Sequence, residues 1–589
     1  MSAAKVWAPT AQSVEIHVRP PRAPHDSDPD VASMERTEDG WWVGPRLEHG
    51  TDYAYVVDGN GPFPDPRSPW QPRGVHGFSR AFDASRHEWN DAAWTGRDAR
   101  GAVTYELHIG TFTPRGTLDA IDDRQLADLA SRGIEMLELM PVAAFPGERG
   151  WGYDGVALYA VHQSYGGPAA LQSFVDRAHA HGLAVCLDVV YNHLGPDGNY
   201  LAQFGPYFTD AHETPWGWAV NLDQEDAVGA RGFIVDNALR WFDDFHVDCL
   251  RLDAVHALVD DSARHVLAEL SDATAALSER LGRPLSLVAE SDLNDASMVQ
   301  PTDQGGKGMT AQWADDVHHA LHAYLTGERH GYYCDFGSLE TLDKAYREVF
   351  VHDGSFSTFR GENWGAPVPD GVARDRFVVF ASNHDQVGNR ALGDRPASRL
   401  SPGAQAASLA FILLSPFTPM LFMGEEYGET RPFMFFTDHD EPLGSAVSKG
   451  RMSEFAGHGW EDLYGGDVDV PDPQDRQTFL RSKLGSGVAA AGPLSAKLEA
   501  WVAHLMAARL HTLEPDAWAR HPVSVTEALP RQVTLHGPVL VHANLSGEPS
   551  RHQGSALAVF GEAAFHDGGF TLAPDSVAIV AAEDAASDA

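Results

Sequence analysis

The apolar positions divide the chain into three textures. From about Ala3 to Asp83, short alternating runs such as 13–18 and 53–57 are separated by clusters of Pro, Gly and Asp, the pattern of strands joined by turns. From about Gly101, β-rich runs alternate with longer stretches whose apolar residues recur at helical spacing. Eight strands are predicted there, at 103–109, 134–140, 184–190, 247–252, 286–290, 309–313, 377–382 and 419–423. The predicted helices between them include 120–131, 169–181, 231–245, 262–270 and 404–414. Eight such βα units close a barrel. Two excursions, 194–228 after the third strand and 425–483 after the eighth, follow strand ends and belong on the face where a barrel carries its site. After a last helix at 496–510, alternating runs return at 533–535, 539–543 and 556–560. The reading is an α/β protein: a (β/α)₈ TIM barrel over 96–515, preceded by a β-sandwich over 1–95 and followed by a small β-domain over 516–589.

Composition narrows the partners. Hydrophobic residues make up 43% and charged residues 21% of the 589, an ordinary globular balance that supports a large core. The 83 acidic against 43 basic residues leave a formal net charge of -40, which repels nucleic acid and anionic membranes and is compatible with a neutral substrate. Met1 to Thr10 lacks the basic start and apolar run of a signal peptide, and no later run is long enough to span a bilayer, so a cytoplasmic protein with no obligate protein partner is expected. The three cysteines, Cys186, Cys249 and Cys334, have no metal-ligand spacing and read as buried free thiols. His318, His319 and His322 look like a metal cluster, but their spacing spreads them over several helix faces, so no metal and no cofactor are expected.

The chemistry lies at strand ends. The fourth strand closes on Arg251-Leu252-Asp253, whose charged residues are two apart and share a side, where the guanidinium favours the ionised carboxylate a nucleophile needs. The fifth runs apolar to Glu290, where burial and a neighbouring acid raise a carboxyl's pKa toward that of a proton donor. The seventh ends in Asn383-His384-Asp385 and the third in Asp188-Val189-Val190-Tyr191-Asn192-His193. One such ending is a capping sequence; four converging on one barrel mouth are a site. Two carboxylates flanking a bond meet the requirement of a retaining glycosidase, with Asp253 as nucleophile, Glu290 as acid/base and Asp385 binding sugar hydroxyls. Trp151-Gly152-Tyr153-Asp154 after the second strand and Trp216 and Trp218 in the first excursion offer aromatic faces and a carboxylate to a sugar ring.

The stretches DVVYNH (188–193), CLRLDAVH (249–256), LVAES (287–291) and SNHDQVGNR (382–390) resemble, in order, the four signature regions of the α-amylase superfamily, glycoside hydrolase family 13. The resemblance implies the same three carboxylate roles, with Tyr153, His193, Arg251 and His384 lining the subsite of the cleaved glucosyl unit and Arg390 among the substrate-binding residues. It implies that Asn192 matches a calcium ligand of many amylases, although no companion acidic loop is visible in the first excursion. Within the superfamily, 105–113, 216–221, 290–295 and 312–333 are similar to the branch that hydrolyses the α-1,4 bond joining a maltooligosaccharide to a terminal trehalose. Specificity is then expected on the leaving-group side, where His256 and the 216–221 loop stand. Glycogen branching by the same carboxylates, and a noncatalytic glucan-binding barrel, are the competing readings.

Overall fold

A computed structural model describes residues 2–455, 463–464, 466, 468–485, 492–514 and 516–582. Eight parallel strands close into a barrel: β1 (Thr104–Leu107), β2 (Met136–Leu139), β3 (Ala184–Val189), β4 (Cys249–Leu252), β5 (Ser286–Ala289), β6 (Ala311–Trp313), β7 (Phe377–Phe380) and β8 (Thr418–Phe422), with β8 pairing back to β1. Each coincides with one of the eight predicted runs. β6 is the shortest, because the Met309 amide leaves the ladder to donate to the Met298 carbonyl.

Side chains alternate across these strands, so every second residue enters the barrel. Met136, Ala184, Cys186, Cys249, Val288, Ala311, Trp313, Val378, Phe380 and Met420 form the interior cluster. The intervening residues, such as Leu187, Leu250 and Val379, join the larger core under the helices. Continuing the same alternation, Asp188 follows Cys186, and Arg251 and Asp253 follow Cys249. The polar tops of β3 and β4 therefore rise from the barrel's axis toward its carboxyl-end mouth.

The helices differ from expectation at their starts. The helix predicted from Ala120 begins at Asp123, where Asp122 and Gln125 form a reciprocal capping box, and Leu118–Ala120 is a separate 3₁₀ turn. The helix predicted over 262–270 runs instead over Val266–Leu281. The carboxylate of Asp260 accepts the amides of Ser262 and Val266 and holds the residues between them in a loop. His265 then caps the helix by accepting from the Leu267 amide.

β domains flank the barrel. At the N-terminus two antiparallel sheets are built around strands such as Val14–Arg19, Trp41–Leu47 and Asp52–Val57. At the C-terminus, beyond the helix Pro493–Thr512, a five-stranded sheet includes Gln532–His536, Val539–Asn544 and Ala556–Phe560. Residues 456–462, 465 and 467 of the second excursion and 583–589 at the end lie outside the described residues. Among the described residues, no helix is long and apolar enough to cross a membrane. The cysteines are free: Cys186 and Cys249 are buried in the barrel, whereas Cys334 is half-exposed, against the expectation that all three are buried.

Candidate active site

The mouth of the barrel opens into a cleft of ≈ 850 Å³. Asp253, Glu290 and Asp385 line it together, with Arg251 and His384 between them. A second cavity, ≈ 480 Å³, lies between the N-terminal sheets and the helix Ala227–Asp244, and none of the convergent strand-end residues reaches it.

Arg251, 2% exposed, is the hub. One of its terminal nitrogens, Nη1, donates to both oxygens of Asp188 (2.9 and 2.8 Å) and to Asp253 (2.9 Å), while Nη2 stands 3.5 Å from Glu290. Its plane lies over the Trp313 ring at 4.3 Å, which supports a desolvated guanidinium from the barrel side. Asp253 also accepts from the amide of Asn192 at 2.8 Å, so both of its oxygens are held. Ala254 follows with a left-handed backbone (φ 38°), uncommon for a residue with a Cβ, and this turn aims its amide at the Glu290 carboxyl. Burial foremost, and then the charges of Asp253 and Asp315, lift Glu290 to about 8 against the opposing pull of Arg251.

Asp385 sits in the first turn of a short helix, His384–Gly388, capped by Asn383, and accepts from the Asn389 amide at 2.8 Å. His384, on the same turn, is buried and clasped by Glu106, which accepts from both its backbone amide and its ring. Burial alone lowers a histidine's pKa, but the charge and hydrogen bond of Glu106 more than offset it and raise His384 to about 9. The resulting imidazolium donates to the Tyr153 hydroxyl (2.8 Å), which donates in turn to Asp188 (2.6 Å). Tyr153 stacks on the same imidazole at 5.2 Å.

The remaining predicted residues form the walls. His193 lies flat against Trp216, ring centroids 4.3 Å apart. Trp216 is at the turn of a hairpin, Phe208–Thr214 with Gly217–Val220, and Trp218 on its second strand is 69% exposed, which leaves its face free for a ligand. Asp154 faces the cleft 3.4 Å from His439, and His256 faces it 3.9 Å from Asp292. Arg390 is the exception. Its guanidinium makes a buried bidentate pair with Glu328 (2.9 and 2.9 Å) and a bond to Asp394 (3.1 Å), so it is spent away from the cleft.

Glu106, Asp188, Trp313 and Phe435 were given no role of their own from the sequence, and Asn192 was read there only as the match to a calcium ligand. The first two had a signal, a charged residue at an inward position of an otherwise apolar strand; Phe435 comes from the second excursion and had none. The histidines after β6 hold structure: His318 bonds the Ala381 carbonyl and the Tyr333 hydroxyl, and His322 bonds Glu328. Among the described residues, one group has metal-like spacing, His212, Asp223 and Asp261, and it is bonded internally, Asp223 accepting from the His212 ring and the Asp261 amide. Asn192 turns its amide to Asp253 and its oxygen to His193, so neither end faces open space.

Comparison with known proteins bears on the chain as a whole. The model of the α-amylase catalytic domain matches residues 78–227. The chain is 48% identical to the malto-oligosyltrehalose trehalohydrolase of Arthrobacter ramosus, over 98% of this chain and 99% of that one. It is 46% identical to the protein of the same name from Mycobacterium tuberculosis strain H37Rv, over 93% of each. A crystal structure from Salmonella typhimurium, provisionally described as an alpha amylase, is 36% identical with a TM-score of 0.85, covering 98% of this chain and 97% of that one.

Proposed function

The chain belongs to the malto-oligosyltrehalose trehalohydrolase family, within the α-amylase superfamily, and from that membership we propose that it hydrolyses the α-1,4 bond joining a maltooligosaccharide to a terminal trehalose. Asp253 attacks the anomeric carbon of the glucosyl unit as Glu290 protonates the departing oxygen. The carbon–oxygen bond to trehalose breaks, and a glycosyl ester on Asp253 forms. Glu290, now ionised, takes a proton from water, whose oxygen displaces Asp253. The maltooligosaccharide leaves with its configuration retained.

The observation that supports these roles most is the single guanidinium of Arg251 reaching both Asp253 and Glu290 in a cleft that Asp385 shares. A carboxyl raised to about 8 can hold the proton at neutral pH that the departing trehalose needs. Asp385 binds hydroxyls of the flattening ring, and His384, Tyr153 and His193 border the same ring. Trp216, Trp218 and His256 stand on the leaving-group side, and Asp154 takes part in binding across the cleft.

Incubation with maltooligosyltrehalose is expected to release free trehalose, read by chromatography, and no α-1,6 branches from amylose. Asp253→Ala and Glu290→Gln should fold and lose at least roughly 10²-fold in turnover. New branches without trehalose would instead make the protein a transferase, and unchanged turnover in either variant would remove its role.

A further inference from the structure

Glu138 lies inside the barrel with no described role. It is 3% exposed on β2, paired in register with Glu106 on β1 and Cys186 on β3. The titratable groups facing it are Glu106 from β1, Cys186 and Asp188 from β3, Cys249 and Arg251 from β4, and His384 after β7. From β6, β7 and β8 the interior receives Trp313, Val378, Phe380 and Met420, none of them charged.

Both cations in this group are committed elsewhere. Arg251 serves Asp188, Asp253 and Glu290, and His384 serves Glu106 and Tyr153. Glu138 has no ion pair among the described residues. Its Oε1 and the Arg251 Nε are each buried without a hydrogen-bond partner there, so the two do not meet. A buried carboxylate with no cation and a second carboxylate opposite it in register is strongly disfavoured, and such a group resolves the conflict by keeping its proton.

We infer that Glu138 is a neutral carboxylic acid while the site works, a positioning residue that preserves the His384–Glu106 and Arg251–Asp188 pairs by keeping another negative charge out of the barrel. Burial first, then the charge of Glu106, hold its carboxyl up at about 8, with Arg251 pulling the other way. Ionisation places a negative charge that competes with Glu106 for His384 and with Asp188 for Arg251, loosening the supports of the ring and the nucleophile together. Glu290 loses its own proton over the same range. The alkaline fall in kcat therefore takes two protons, one from the acid catalyst and one from its support. The kinetic part of this inference rests on the hydrolytic reading above.

The test is Glu138→Gln, which is neutral at every pH. With far-UV circular dichroism unchanged across the range, the alkaline limb of log kcat for the wild type should steepen beyond a one-proton slope. In E138Q it should relax to a one-proton slope, with kcat at neutral pH reduced by less than about tenfold. Superimposable profiles, or E138Q inactive at every pH, would overturn the assignment. An infrared difference spectrum, wild type minus E138Q at neutral pH, should show the carbonyl band of a protonated acid; a band of ionised carboxylate in its place overturns it too. The infrared arm needs no substrate, so absence of trehalose release would defeat the hydrolytic reading while leaving this measurement decisive. Should E138Q fail to fold, Glu138→Met supplies a second neutral variant, and a strict one-proton limb in the wild type alone is enough to reject the inference.

Discussion

One guanidinium, that of Arg251, touches three carboxylates, and its neighbours divide the labour at the level of single side chains. In the proposed reaction Asp253 attacks from one direction with both oxygens held, and Asn192 supplies the second donor, 2.8 Å from Oδ2. A hydrogen bond to a charged group contributes about 1.5–3 kcal/mol. Asn192→Ala should therefore lower kcat/KM roughly 10- to 100-fold with the fold intact, measured by steady-state trehalose release; a loss smaller than about threefold would show that Arg251 alone orients the nucleophile. The meeting of Asp253 and Glu290 in one cleft was legible from the sequence because each is a polar residue closing an apolar strand at the same end. Arg390 was not. It stands five residues past Asp385 and two past the end of the helix His384–Gly388, where the chain has turned away and delivers its guanidinium to Glu328. Glu328 lies far back in the chain, so no local pattern announced the pair.

At the scale of elements, the segment leading from the N-terminal sheets into β1 seals the lower end of the barrel. His179, on the helix Pro168–Ala180, is wholly buried between Asp91 and Asp248, 2.9 Å from each, with its ring stacked on Trp94 at 4.5 Å. Asp248 also accepts from Trp94, Arg283 and the Val185 amide. Burial lowers a histidine's pKa, yet the two carboxylates more than offset it and His179 is raised; Asp91, against its own burial, is held down at about 2 by His179 and His246. The stabilisation from His179 is fully present below its unfolded pKa of about 6.5 and is lost as pH rises through the higher folded value. That from Asp91 is present above about 3.9 and is lost as pH falls toward 2. Removing one member leaves buried charge unmatched, at a cost of about 3–5 kcal/mol. His179→Ala should accordingly lower stability by that amount in urea denaturation near pH 5.5, with the difference from wild type shrinking at alkaline pH. A loss below about 1 kcal/mol, or one independent of pH, would mean the segment is held by apolar packing alone. None of this latch was legible in the sequence, since its members come from four separate stretches. The helices were legible in their apolar spacing, but their bounds were not: caps such as Asp122 and His265 set later starts, and the helix expected to end at 270 runs on to Leu281.

For the whole molecule, the barrel could be read because its strands are buried on both faces and four of them end in polar residues at one mouth, two features that survive in one dimension. The distances among those ends could not be read, nor could Phe435, delivered by a distant excursion. The formal charge of -40 sets no part of the site; the chemistry rests on a few buried acids whose protons are apportioned by Arg251, His384 and burial. The most direct measurement is to trap the glycosyl-enzyme. A maltooligosyl fluoride has a leaving group that needs no acid, and Glu290→Gln slows the water step, so the ester should accumulate and be located by peptide mass spectrometry. The account predicts a glycosylated peptide modified at Asp253 and none in Asp253→Ala/Glu290→Gln. An adduct on another carboxylate, or turnover with inverted configuration and no adduct, would contradict it.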